Sequence, residues 1–175
     1  GFVARAQQSW RATALAALLL VATLAAGYQW GVPLAARAIV AALPASLDRA
    51  VGEIALDGID DRWLAPSALS AERRLAIATA FERMVAQAFP QAATRPAYTL
   101  RFHASKIGPN AFALPGGAIV LTDELVTLMK GRDEAVLGVL AHELGHVRAR
   151  HGMRLVVQLS LIGAAASVAL GDYSS

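Results

Sequence analysis

Val139-Leu140-Ala141-His142-Glu143-Leu144-Gly145-His146-Val147-Arg148-Ala149-Arg150-His151 is the stretch on which the reading of this sequence turns. On an α-helix each residue advances about 100°, so His142 and His146 stand one turn apart on one face. Two imidazoles so placed can converge on one ion at about 2.0–2.1 Å, the zinc–nitrogen distance. Glu143 projects beside that face, where a carboxylate can take a proton from a metal-activated water as general base and return it to a leaving amine.

The bland alternative is a helix that merely contains two histidines. The motif follows the apolar run Ala135-Val136-Leu137-Gly138-Val139-Leu140-Ala141. Unpaired histidines and a carboxylate are costly to bury there. Gly138 and Gly145 leave room on or near the ligand face. The metal reading is therefore preferred, with one Zn2+ per chain. His151 is a tempting third ligand, but on a continuous helix it points about 180° from His142 and 140° from His146. It is expected instead to donate a structural hydrogen bond at the helix end. His103 falls on the polar face of a strand and is read as ordinary.

Upstream, Ser70 is placed to cap a helix over Ala71–Ala88 that stops before Pro90, with Leu75, Ala78, Phe81, Val85 and Ala88 as its apolar stripe. Tyr98, Leu100 and Phe102 alternate with Thr99, Arg101 and His103, the period of a half-buried strand. Pro115-Gly116-Gly117 separates Asn110–Leu114 from Ala118–Thr122, which predicts a hairpin. Thr122 or Asp123 caps a short helix ending at Lys130-Gly131. Asp133 opens the motif helix, which is expected to close at His151-Gly152.

The N-terminal third has a different character. Hydrophobic residues make up 56% of the chain and charged residues 17%, against about 45–50% and 25% in soluble domains. The excess points to a membrane. Ala12–Gly27 carries no charge, and Trp10 and Tyr28-Gln29-Trp30 bracket it as interfacial aromatics do. Trp10 to Trp30 spans about 30 Å as a helix, the thickness of a hydrocarbon core. A signal peptide is the rival, but its apolar region is shorter. Arg5 and Arg11 precede the run, which favours an N-terminus-inside orientation. Arg5, Arg11 and Arg37 also account for the whole net charge of +3. A basic nucleic-acid face would need its cations clustered elsewhere, so no nucleic-acid partner is expected. Cysteine is absent, which removes disulfides, thiolate zinc sites and a cysteine nucleophile.

Pro33–Leu47 reads as a helix leaving the membrane surface. Asp48–Pro66, with Asp57-Gly58-Ile59-Asp60-Asp61, reads as a linker. Leu155–Leu170 is uncharged and short for a span. Gly163, Ser167 and, just past its end, Gly171 recur every four residues, which suits close helix packing. A buried or membrane-grazing helix is favoured there over a second span. The division expected is 1–31 anchor, 32–66 membrane-proximal helix and linker, and 67–175 catalytic core.

VLAHELGHVRARH (Val139–His151), preceded by NAFALPGG (Asn110–Gly117), resembles the membrane-associated zinc metallopeptidase family that includes the HtpX-type, OMA-type and CAAX prenyl endopeptidases. The likeness runs from about Leu69 to Gly152. It implies an α+β, zincin-like (gluzincin) fold with a small sheet over the active-site helix, behind an N-terminal transmembrane helix. It also implies that His142 and His146 are zinc ligands and Glu143 the catalytic base. The third ligand of the family is a glutamate on a later helix. Beyond His146 the only acidic residue of this sequence is Asp172, so the core is expected to be cut short at its C-terminus, and Gly1 in place of Met fits a cut at the other end.

The resemblance sets Asn110, Ala111, Phe112, Ala113 and Leu114 beside the cleft. Zincin substrates add as an extended strand to a sheet edge, which Asn110–Leu114 or Ala118–Thr122 could supply, and Asn110–Leu114 is the candidate substrate-binding segment. The alternative, that Asn110 and the glycines only fix a tight turn, is compatible with it. The expected function is hydrolysis of peptide bonds in membrane or envelope proteins by a membrane-anchored endopeptidase. A bacterial inner-membrane location with the catalytic part facing the periplasm is expected. The competing reading is a metal-binding or chaperone-like domain that keeps the fold but does not cleave.

Overall fold

The computed structural model describes residues 10–171, apart from the side chains at 60–62 and 170. The chain divides into two units, residues 1–42 with 156–175 and Leu43–Leu155. In the first unit, helix α1 (Trp10–Ala26) passes through a π-helical turn at Gly27–Gly31 into α2 (Val32–Ala42). Trp10–Ala42 is long and apolar enough to cross a membrane. Leu15, Leu18, Leu19, Leu20, Val21 and Leu24 are all exposed on α1. An apolar helix without a polar face has no stable position in water. Helix α2 stops before Pro44, short of the expected Leu47.

The second unit opens with α3 (Ala45–Trp63). The expected linker over Asp48–Pro66 is overturned there, since Asp57-Gly58-Ile59-Asp60-Asp61 is helical throughout. Its hold is tertiary. Gly52 lies against Pro115, so close that a Cβ would sit 1.9 Å from the Pro115 carbonyl oxygen.

Next come β1 (Leu64–Pro66), α4 (Ala71–Ala88), β2 (Thr99–Ser105), β3 (Ala111–Ala113), β4 (Ala118–Thr122), α5 (Asp123–Leu128), α6 (Asp133–Arg148) and α7 (His151–Leu170). Helix α4 has the predicted bounds, and Ser70 Oγ accepts a hydrogen bond from the Arg73 amide at 3.1 Å. Its buried face is Ile77, Phe81 and Val85. Leu75, assigned to the stripe from sequence, is 68% exposed. The strand around Leu100 and Phe102 is present as β2, and Thr122 caps α5 through the Leu125 amide.

The sheet has the order β1-β2-β4-β3, with β2 and β4 parallel and the other neighbours antiparallel. The predicted hairpin is therefore β3–β4, and β3 is an edge. Ile119 and Leu121 of β4 pack with the α4 face, with Leu125 and Val126 of α5, and with Val136, Leu140 and Leu144 of α6. Each buried side chain of this kind contributes about 1.5–3 kcal/mol. The motif helix is thus bolted to the sheet by one face.

Helix α7 has few buried residues. Leu155, Leu159 and Val168 are exposed, and nothing lies within 4 Å of a Cβ built on Gly163 or Gly171. Met153 is buried near its start, but no side chain from 155 to 169 is, so the burial expected of Leu155–Leu170 is not found among the described residues. His151–Ala169 is also long and apolar enough to cross a membrane.

Candidate metal centre

Val136, Leu140 and Leu144 recur every four residues and turn one face of α6 into the core. His142 is offset from Leu140 and Leu144 by two residues each, about 200° of helix, so it faces outward. His142 is exposed, and Glu143 and His146 are half-buried. The apolar run before the motif suggested a buried site. The fold instead uses that run for packing and presents the histidines on the open side. Gly138 and Gly145 border this side with no atom within 4 Å of a built Cβ.

His142 Nε2 and His146 Nε2 are 3.1 Å apart. Two nitrogens bound at 2.0–2.1 Å to one tetrahedral ion lie about 3.3–3.4 Å apart. The observed separation fits a shared zinc to within a few tenths of an ångström. One ligand atom each from His142, Glu143 and His146 fall within 4.8 Å of one another. Imidazole nitrogen and carboxylate oxygen are donors that zinc accepts. Asp172 lies outside the described residues.

His151 is where the sequence reading fails. Helix α6 ends at Arg148 rather than running on to His151-Gly152, and Arg150 adopts a left-handed φ of 52°. The chain turns there, and His151 starts α7 with its Nδ1 2.7 Å from His146 Nδ1. The expectation that His151 points away rested on a continuous helix. A hydrogen bond of His151 is present at the helix end, between two ring nitrogens of which either can donate, and its partner is His146.

The turn is held from α3. Arg150 donates from Nε to Asp48 Oδ2 at 2.7 Å and from Nη2 to Asp48 Oδ1 at 2.6 Å. Its Nη2 also donates to the Leu43 carbonyl at 3.1 Å. The carboxylate raises the Arg150 pKa above its ordinary value, chiefly through these hydrogen bonds and against the opposing effect of burial.

The NAFALPGG segment serves two structural ends. Gly116 and Gly117 have φ of +80° and +98°, and Cβ atoms on them would lie 2.5 Å from Arg49 Cα and 2.4 Å from the Ala97 carbonyl oxygen. This is a tight turn of the kind only glycine enters without strain, wedged between α3 and the approach to β2. Before it, Asn110–Leu114 forms the sheet edge beside α6. The Thr122 amide donates to Asn110 O at 3.0 Å, and the Leu114 amide to Ala118 O at 2.8 Å. Bonded positions alternate in an antiparallel pair, so the main-chain groups of Ala111 and Ala113 point away from β4. The Ala111 amide is taken by Asn110 Oδ1 at 2.9 Å. Ala113 presents its own to the outer edge. Both expectations for this segment, edge and tight turn, describe its backbone.

The family model of peptidase family M48 matches residues 71–173, which includes α4, the four-residue-spaced histidines and all of α7. The chain belongs to peptidase family M48. The M48 family is one of zinc-dependent metallopeptidases, in keeping with the α+β, zincin-like arrangement of a small sheet beside the histidine-bearing helix. No curated protein matches the chain.

Proposed function

We propose that this M48 chain is a membrane-anchored zinc endopeptidase whose site is built from His142, His146 and Glu143. The observation that carries the reading is the 3.1 Å approach of His142 Nε2 to His146 Nε2 with the Glu143 carboxylate alongside. One zinc per chain would be held by His142 and His146. Zinc supplies Lewis acidity there, lowering the pKa of water and polarising a peptide carbonyl.

Glu143 accepts the proton of the attacking water on its carboxylate. It then delivers that proton to the amide nitrogen that leaves. Asn110–Leu114 takes the substrate as an added strand, with the Ala113 amide donating to its main chain. An extended polypeptide so bound would lie beside α6, the helix that carries Glu143.

Two exposed apolar helices support a bilayer setting, with α1–α2 as the N-terminal anchor. The positions of Arg5 and Arg11 favour a cytoplasmic N-terminus, which in a bacterial inner membrane directs the catalytic unit to the periplasm. Membrane and envelope proteins are then the substrates within reach, and their quality control is the role proposed.

The test pairs zinc content with cleavage of an unfolded substrate such as casein by detergent-purified protein. His142→Ala is expected to lose zinc. Glu143→Gln is expected to keep zinc and lose cleavage. A Glu143→Gln protein that cleaves like the parent removes the assigned base.

A further inference from the structure

We propose that His151 is a positioning residue for His146, accepting a hydrogen bond from its Nδ1–H and so directing its Nε2 lone pair at the metal. The proposal rests on the zinc reading above and adds a residue to it.

His146 uses its two ring nitrogens on two sides. Nε2 faces His142 Nε2 at 3.1 Å, and Nδ1 faces His151 Nδ1 at 2.7 Å. A neutral imidazole carries one proton and one free lone pair. If Nε2 is to bind a cation, the proton must sit on Nδ1, and a base must lie there to receive it. A metal-binding histidine generally donates its second N–H to a carboxylate, a carbonyl or a water, which fixes tautomer and ring orientation. Here the acceptor in place is another imidazole.

The same geometry excludes His151 as a ligand to the shared ion. It meets His146 at the nitrogen turned away from His142. The rings of His146 and His151 are also steeply inclined, at 67°, with centroids 4.8 Å apart, so contact is made at the ring edge and not by stacking. His151 accepts through Nδ1 and therefore carries its own proton on Nε2.

The placement is built into the fold. A continuous α6 would carry His151 to the far side of the helix. The left-handed Arg150, gripped by Asp48 and the Leu43 carbonyl, turns the chain so that His151 falls beside His146.

The experiment uses the full chain in detergent, titrated with zinc in competition with a chelating fluorophore. The comparison covers the parent, His142→Ala, His151→Phe and His151→Asn. His151→Phe fills the space without an acceptor and is expected to weaken zinc about 10- to 100-fold, with the thermal midpoint of the metal-free protein unchanged. His151→Asn keeps an acceptor oxygen and is expected to recover most of that loss. In the zinc-loaded parent, 15N-edited spectra should show an exchange-protected Nδ1–H on His146, absent from His151→Phe.

Parent-like zinc affinity in His151→Phe overturns the positioning role while leaving the zinc site standing. So does a His146 bound to zinc through Nδ1. A parent that binds zinc no better than His142→Ala overturns the site itself, and the positioning role with it.

Discussion

Asp48 and Arg150, 102 positions apart, form a two-bonded ion pair that joins the start of α3 to the end of the motif helix. Asp48 is 5% exposed and the Arg150 side chain retains some access to water. Removing the carboxylate leaves a largely buried guanidinium without its ion-pair partner. Asp48→Ala is expected to cost about 2–3 kcal/mol, below the 3–5 of a fully buried pair, read as a drop in the unfolding midpoint. It should also loosen the Arg150 turn, so zinc affinity is expected to fall with stability. Unchanged zinc affinity in a destabilised Asp48→Ala protein would separate the ion pair from the site.

This pair explains which parts of the molecule were legible. Helix α4 could be bounded from sequence because Ser70 and Pro90 act locally on the backbone, and the His142–His146 spacing is a property of any helix. The choice of Ile77 over Leu75 was harder. Both are apolar residues of one amphipathic helix, and which of them meets the core depends on how β4 and α5 sit against it. The position of His151 could not be read at all. A positive φ at a residue that is not glycine is imposed by its partners, and those lie near position 48. Helix α3 reads as a linker in the sequence for the same kind of reason, because Gly58 and the acidic cluster carry turn signals that the contact of Gly52 with Pro115 outweighs.

Glycines within α3 offer a second prediction. Alanine is favoured over glycine in a helix interior by about 0.5–1 kcal/mol. At Gly58, with nothing within 4 Å of a built Cβ, Gly58→Ala should raise stability by about that amount. At Gly52 the new Cβ would meet the Pro115 carbonyl oxygen, a backbone atom with little freedom to retreat. Gly52→Ala is expected to destabilise by about 1–3 kcal/mol. Opposite shifts in the unfolding midpoints of the two variants check the packing of α3 on the Pro115 turn.

Acid should weaken a different contact. Arg73 donates from Nη1 to Asp133 Oδ2 at 2.8 Å, linking α4 to the first turn of α6. The hydrogen bonds from Arg73 hold the Asp133 carboxyl below its ordinary pKa. A depressed folded pKa means that the pair stabilises fully above the unfolded value, about 3.9. That stabilisation fades as pH falls through the lower folded value. Parent and Asp133→Asn unfolding midpoints should therefore differ by a constant small amount from neutral pH to about 5. They should begin to converge as the pH drops below about 4 and meet only below the lower folded value. Both side chains are substantially exposed, so added salt should shrink the gap.

The edge strand offers the sharpest check on how substrate is held. Residue 113 donates nothing to β4, because bonded pairing falls on positions 110, 112 and 114. A proline there removes the outward N–H and leaves the β3–β4 ladder intact, as edge positions allow. One neutral hydrogen bond is worth about 0.5–1.5 kcal/mol net, so Ala113→Pro is expected to lower kcat/KM on an extended peptide about two- to tenfold. Zinc affinity and unfolding midpoint should stay near the parent values. If strand addition is correct, the loss should vanish for a substrate whose matching carbonyl is replaced by a methylene, since that substrate never used the bond. A Ala113→Pro protein that cleaves every substrate like the parent would place the polypeptide elsewhere than on β3.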